Sequence, residues 1–152
     1  MNICIATLSN LCEIYNLVEI TIKTIYPMYY NKKIVEFFLK LHNKENILID
    51  INNNRTYILV DNNKLIGTGS FLENHISRVF ILPEYQNQGY GSKIMDFLEN
   101  KIKLNYDYSV LESSIPSKEF YKNRNYEKLD KKSMLIDNDL DFSFDVLKKN
   151  LN

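Results

Sequence analysis

Excess charge of either sign, long apolar runs and paired cysteines are all missing from this 152-residue sequence, and each absence removes a class of function. The 19 lysines and arginines are balanced by 19 acidic residues, so no net positive field exists to hold DNA or RNA. No apolar run approaches the roughly 18 residues that span a bilayer, and Met1 to Ile5 contain no basic stretch leading into an apolar one. A cytoplasmic chain with no membrane or nucleic-acid partner is expected. Cys4 and Cys12 lack the spacing of a zinc site or a redox dithiol and read as buried thiols. The two histidines, His42 and His75, form no metal-ligand cluster, so no metal is expected. With 45% hydrophobic and 25% charged residues the composition is that of an ordinary globular protein.

What is present fits one domain over residues 1–152. Ile3 to Ala6 reads as a strand, followed by a helix capped at Ser9 or Asn10, with Leu11, Ile14, Tyr15, Val18 and Ile22 on one face. Pro27 interrupts, and a second helix over 31–41 places Ile34, Phe37, Phe38 and Leu41 inward. Residues 47–54 fit a helix or a strand equally well. Two strands, 56–60 and 64–72, flank the turn Asp61-Asn62-Asn63 and predict a hairpin. The unbroken Val79-Phe80-Ile81-Leu82 ends a third strand, over 76–82, at the centre of the sheet. An amphipathic helix over 89–103, a strand over 108–111, a helix over 117–123 and closing strands over 126–129 and 133–136 complete the pattern. The tail, 137–152, carries Phe142, Phe144, Val146 and Leu147, enough to dock a short strand or helix.

One segment carries chemistry: Gln86-Asn87-Gln88-Gly89-Tyr90-Gly91-Ser92, between the buried strand and the amphipathic helix. The first turn of a helix leaves N–H groups without intrahelical partners and a partial positive charge, which suits an anion. Gly89 and Gly91 remove Cβ atoms where a diphosphate must approach, and Ser92 offers a hydroxyl. A tight turn that binds nothing has the same spacing. The third glycine of a dinucleotide site is absent, and no Gly-Lys-Ser/Thr phosphate loop occurs.

These residues resemble the GCN5-related N-acetyltransferase (GNAT) family, whose motif Gln/Arg-x-x-Gly-x-Gly/Ala follows the fourth strand. Gln86, Gly89 and Gly91 occupy its defined positions. A second stretch, from Leu111 through Phe120-Tyr121 to Tyr126, is similar to the family's later segment. The resemblance implies a mixed α/β (α+β) fold with a mostly antiparallel central sheet, flanked by helices, in which two parallel neighbours splay apart. Acetyl-CoA would lie in the gap, its pantetheine amides against the backbone of Phe80, Ile81 and Leu82. Its diphosphate would rest on the N–H groups of Gln88, Gly89, Tyr90, Gly91 and Ser92. Gln88 stands where the family often has a basic residue, and Asn125 where it usually has glycine. Asn tolerates the left-handed conformation better than most residues, so the turn is expected to survive.

Acyl transfer from a thioester to an amine needs a neutral amine, donors for the oxyanion and a proton for the departing thiolate. The resemblance assigns that proton to Tyr121; packing is its other reading. For a base, Glu73, His75, Glu84 and Glu112 are candidates, with Glu73 first, although each type is more often a solvated surface group. Neither cysteine has a neighbour that would make it a thiolate nucleophile, so direct transfer is expected. The expected function is an N-acetyltransferase acting on a small-molecule or protein amine, as a monomer or homodimer. The competing class is a non-catalytic acyl-CoA sensor or partner-binding domain. Tyr26-Pro27-Met28-Tyr29-Tyr30 is expected to shape the acceptor side.

Overall fold

The computed structural model describes all residues, 1–152. Seven strands form a single sheet in the order β1-β2-β3-β4-β5-β7-β6: β1 (Asn2–Ile5), β2 (Thr56–Asp61), β3 (Lys64–Leu72), β4 (His75–Ile81), β5 (Tyr108–Ser113), β6 (Glu127–Ile136) and β7 (Leu140–Asn150). Five α-helices cover it: α1 (Leu11–Ile25), α2 (Lys32–Leu41), α3 (Lys44–Asn52), α4 (Tyr90–Lys103) and α5 (Lys118–Asn123). Every neighbouring pair is antiparallel except β4 and β5. The expected mixed fold, with one splayed parallel pair, is therefore present. No helix is long and apolar enough to cross a membrane.

The helices form where a polar start meets an apolar face. Asn31 accepts from the Ile34 N–H at 3.0 Å and Asn43 from the Asn46 N–H at 2.8 Å, each capping the helix that follows. The ambiguous run after residue 47 is thus helical: Asn43 starts α3, and Ile47 and Ile51, one turn apart, are buried. In α1, Ile14, Leu17, Val18 and Ile22 are buried as the periodicity requires. In α2 the inward set is Ile34, Val35 and Phe38, while Leu41 is exposed because the helix ends there.

Three expectations are corrected. Cys4 and Cys12 are both exposed: β1 is an edge strand, and Cys12 faces outward in the first turn of α1. The two closing strands are one, β6, carried across an irregularity at Lys128/Asp130. The tail is an eleven-residue strand, β7, inserted between β5 and β6. Positive φ at Asp137 (53°) and Asn138 (61°) makes the tight hairpin that turns β6 into β7.

The helix α4 lies close to the sheet because β3 carries two glycines beneath it. A Cβ on Gly69 would sit 2.8 Å from Ile94 Cγ2 and 2.9 Å from Leu98 Cδ1, and one on Gly67 would sit 2.6 Å from Ile81 Cδ1. Gly69→Val is expected to destabilise the protein by about 1–3 kcal/mol, since the displaced side chains lie in a packed core. The measurement is the urea midpoint, which should fall at unchanged slope.

What opens the sheet is a bulge in β4. Between the Thr68–Phe80 and Ser70–Ser77 pairs, one residue of β3, Gly69, faces two of β4, Arg78 and Val79, and Arg78 takes φ +50°. The Arg78 guanidinium, nearly buried, holds the bulge by donating to Asp50 of α3 at 2.7 Å and to His42 Nδ1 at 3.2 Å. The His42 ring stands edge-on to Phe80 with centroids 5.2 Å apart. Burial, reinforced by the Arg78 charge, pushes the His42 pKa from 6.5 down to about 3. The folded state therefore keeps His42 neutral where the unfolded chain would protonate it. Its contribution is present above 6.5 and falls as pH drops toward 3. Urea midpoints should decline more steeply from about pH 7 to about pH 4 in the parent than in His42→Phe.

Candidate active site

Beyond one registered pair, His75 with Val110, the parallel strands β4 and β5 share no pairing. The resulting gap continues into a cleft of about 600 Å³. One bank is Val79, Phe80 and Ile81 of β4; the other is the connection after β5, with Ser114 and Ser117, and then Phe120 and Tyr121 of α5. The Gly89–Ser92 stretch closes one end, and the segment after α1, with Tyr26, Met28 and Tyr29, forms another wall. Side-chain bonds fix these walls to each other. The Tyr26 hydroxyl donates to Ser114 Oγ at 3.4 Å, Ser114 and Ser117 hydroxyls pair at 2.8 Å, and the Ile115 N–H donates to the Tyr30 hydroxyl at 2.7 Å.

The loop into α4 has the form an anion needs. Asn87 and Gly89 both take positive φ, 60° and 85°, which turns the chain sharply before the helix. The first α-helical bond runs from the Lys93 N–H to the Gly89 carbonyl at 3.1 Å, leaving the N–H groups of residues 90–92 without helical acceptors. Nothing lies within 4 Å of a Cβ position on Gly89, so the approach is open. Gln86 is a structural brace, donating from Nε2 to the Ile81 carbonyl at 2.9 Å and so tying the loop back to β4.

Phe80, Ile81, Gln86, Gly89, Gly91, Ser92 and Tyr121 all border the cleft. The Leu82, Gln88 and Tyr90 side chains do not. The Leu82 N–H is taken by the Ile66 carbonyl, Gln88 Nε2 donates to the Glu84 carbonyl, and the Tyr90 hydroxyl donates to Asp61 at 3.2 Å. Asn125 adopts φ 66°, so the glycine-like corner before Tyr126 is kept by an asparagine.

Tyr121 is buried among aromatic rings, 5.2 Å from Phe120 and 5.6 Å from Tyr126 by centroid. Burial raises its pKa far above 10, with the nearby Tyr26 adding to the effect, while Arg124 works in the opposite direction. Burial likewise pushes Tyr26 up to about 12. Both hydroxyls therefore keep their protons at any physiological pH. The four groups considered as a base lie elsewhere. Glu73 is exposed in the β3–β4 turn, at the other end of β4 from the glycine loop, with φ 55°. Glu84 pairs with Lys64 at 3.1 Å, and His75 pairs with Glu112. None borders the cleft.

Thr21 and Ile25 also border the cleft and carried no motif. Thr21 had a signal nonetheless: it occupies an inward position of α1, between Leu17 and Ile22, where a polar residue needs a reason. Its hydroxyl donates to the Leu17 carbonyl at 2.8 Å.

A GCN5-related N-acetyltransferase of Rhodopseudomonas palustris superposes with a TM-score of 0.89 at 14% identity, over 98% of this chain and 94% of that one. The PaiA N-acetyltransferase of Thermoplasma acidophilum, solved with coenzyme A, gives 0.76 at 18% identity over 98% of both chains. The ribosomal-protein-S18-alanine N-acetyltransferase of Escherichia coli gives 0.71 at 11% identity, over 99% of this chain and 93% of that one. No curated protein sequence matches the chain. A family model described as an acetyltransferase (GNAT) domain matches residues 25–140. The protein thus belongs to the GNAT family and is an acyltransferase.

Proposed function

We propose that the protein transfers an acetyl group from acetyl-CoA directly to a primary amine. The observation that carries this reading is the open cleft between β4 and β5, which ends on the free N–H groups at the start of α4 and has Tyr121 on its wall. At about 600 Å³ the cleft has the size of a small-molecule site, and its donor set is backbone, which suits a diphosphate without a cation. The solved relative with coenzyme A supports the choice of cofactor.

In the transfer, the amine nitrogen bonds to the thioester carbon and the carbon–sulfur bond breaks. Tyr121 gives its proton to the sulfur as the sulfur takes up the electron pair, the amine's proton leaves to solvent, and the Tyr121 oxygen regains a proton from solvent. The chain's contribution is to fix the two reactants along one cleft, keep water out with Phe80 and Phe120, and hold a proton at the Tyr121 oxygen.

Isothermal calorimetry with acetyl-CoA and a free-thiol assay over varied amines test the reading together. Saturable binding and amine-dependent thiol release are expected. Binding without release from any amine would favour the sensor alternative, and no binding would remove the reading altogether. A Cβ on Gly91 would lie 3.3 Å from Phe120 Cζ, so Gly91→Val crowds the cleft wall beside the diphosphate site. It should weaken acetyl-CoA at least about tenfold, close to 1.4 kcal/mol.

A further inference from the structure

The helix that carries Tyr121 is too short to hold itself. The six residues of α5 make fewer than two turns, so their place depends on what they are tied to. At the start of α5, Lys118 reaches Asp145 at 3.0 Å from an exposed position. The end that carries Tyr121 is fixed by the residue that terminates the helix. Arg124 donates its backbone N–H to the Tyr121 carbonyl at 3.0 Å, and the Tyr126 N–H joins it there at 3.1 Å. The Arg124 side chain then runs under the corner to α4. Its Nη2 donates to Asp96 at 2.7 Å and to Glu99 at 3.0 Å, and its Nη1 to the Ser92 carbonyl at 3.5 Å. No other side chain bonds the backbone of residues 90–93. Ser92 is also one of the three residues whose N–H groups are free for an anion. One guanidinium thus joins the phosphate turn to the helix of the proton donor.

Two observations separate this role from plain packing and from a general electrostatic one. Arg124 Nε is buried without a partner, a cost that an apolar side chain of similar length would not carry. The charges of Arg124 and Lys149 are matched by those of Asp96 and Glu99, so the cluster adds no net field to the cleft. What the guanidinium supplies is a planar, rigid fork that fixes two elements at one separation, which a lysine's single ammonium does not. We infer that Arg124 is a positioning residue: it sets the separation between the phosphate turn and the Tyr121 hydroxyl. The inference rests on the acyl-transfer reading above, with Tyr121 as proton donor. An acyl-CoA anchored by its diphosphate reacts at the far end of its pantetheine arm, so an error at the corner moves the hydroxyl away from the sulfur. The rate depends steeply on that placement, and binding of the diphosphate by backbone N–H groups does not.

The test is a double-mutant cycle. Arg124→Lys is made in the parent and in Tyr121→Phe, with kcat read from thiol release, acetyl-CoA affinity from calorimetry, and urea midpoints used to choose a temperature at which all four proteins are folded. In the parent, Arg124→Lys should lower kcat about tenfold or more and change acetyl-CoA affinity less than about threefold. In Tyr121→Phe the same substitution should change kcat less than about twofold, because the hydroxyl it misplaces is no longer there. The same dependence on Tyr121, at about threefold, is expected of Asp96→Ala, which removes an exposed partner and leaves Glu99 in place. That variant decides the question if Arg124→Lys does not fold. An equal loss of kcat in both backgrounds would overturn the inference, since a general loosening of the cleft gives that result. So would an undiminished kcat in Arg124→Lys. Full activity in Tyr121→Phe alone would remove the proton-donor reading and this inference with it, while acyl transfer would stand.

Discussion

Tyr121→Phe should lower acetyl-CoA-dependent thiol release by on the order of 100-fold or more while changing acetyl-CoA affinity less than about threefold. The substitution removes one oxygen from a ring packed on both sides, so the cleft wall and the bound cofactor should keep their places. What is lost is the one cleft hydroxyl of α5. Its high pKa argues for hydrogen bonding to a developing thiolate rather than for a tyrosine that ionises early. A free thiol, near 8.5 in water, is the stronger acid, yet the same dry surroundings that raise the tyrosine raise a buried thiol too. The gap between them narrows where the reaction occurs. Because Tyr121 stays protonated, the parent's rate should show no alkaline limb from this group below about pH 10. An undiminished rate in Tyr121→Phe would take this residue out of the chemistry and leave it a packing role.

Glu99→Ala should destabilise the protein by about 3 kcal/mol, read as a lower urea midpoint. Glu99 is buried on α4 and gathers three donors: Arg124 Nη2 at 3.0 Å, Lys149 Nζ at 2.7 Å and the Tyr126 hydroxyl at 3.2 Å. Tyr126 also pairs with Ser109 at 2.7 Å, so the network joins α4, β5, the α5–β6 corner and β7. Removing the carboxylate strands an Arg124 whose side chain is 11% exposed and whose Nε is already buried without a partner. Asp96, bonded to the same Nη2 at 2.7 Å, retains part of the compensation, and Lys149 can turn to solvent, which keeps the cost near the lower end for a broken buried pair. The corner that Arg124 anchors carries Tyr121, so activity should fall at temperatures where the folded fraction is still full. Unchanged stability in Glu99→Ala would show that the three donors are satisfied by water.

Two segments show how far local pattern carries. The loop from Gln86 to Ser92 was legible as a tight glycine turn into a helix, because strand, glycines and amphipathic helix are consecutive and their physics is local. Asn125 in a left-handed corner was equally readable from one residue's backbone tolerance. The β6–β7 hairpin was not. Nearly every residue of β6 is exposed, so burial imposes no alternation, and the strand shows no period-two signal to read.

The same distinction divides the site. Sequence by itself determined the order of elements from β1 to α5 apart from α3, the glycine turn and the presence of an aromatic pair at 120–121, since each depends on residues close along the chain. Tertiary structure alone decided that β4 bulges at Arg78 and is held there by Asp50 and His42, residues 28 and 36 positions away. It alone decided that Glu99 and Arg124 meet under the α5–β6 corner, and that Glu73, Glu84, His75 and Glu112 lie outside the cleft. The physical reason is the same in each case. A charge placed by packing is specified by what surrounds it in space, and a cleft's lack of charge is a property of all its walls at once.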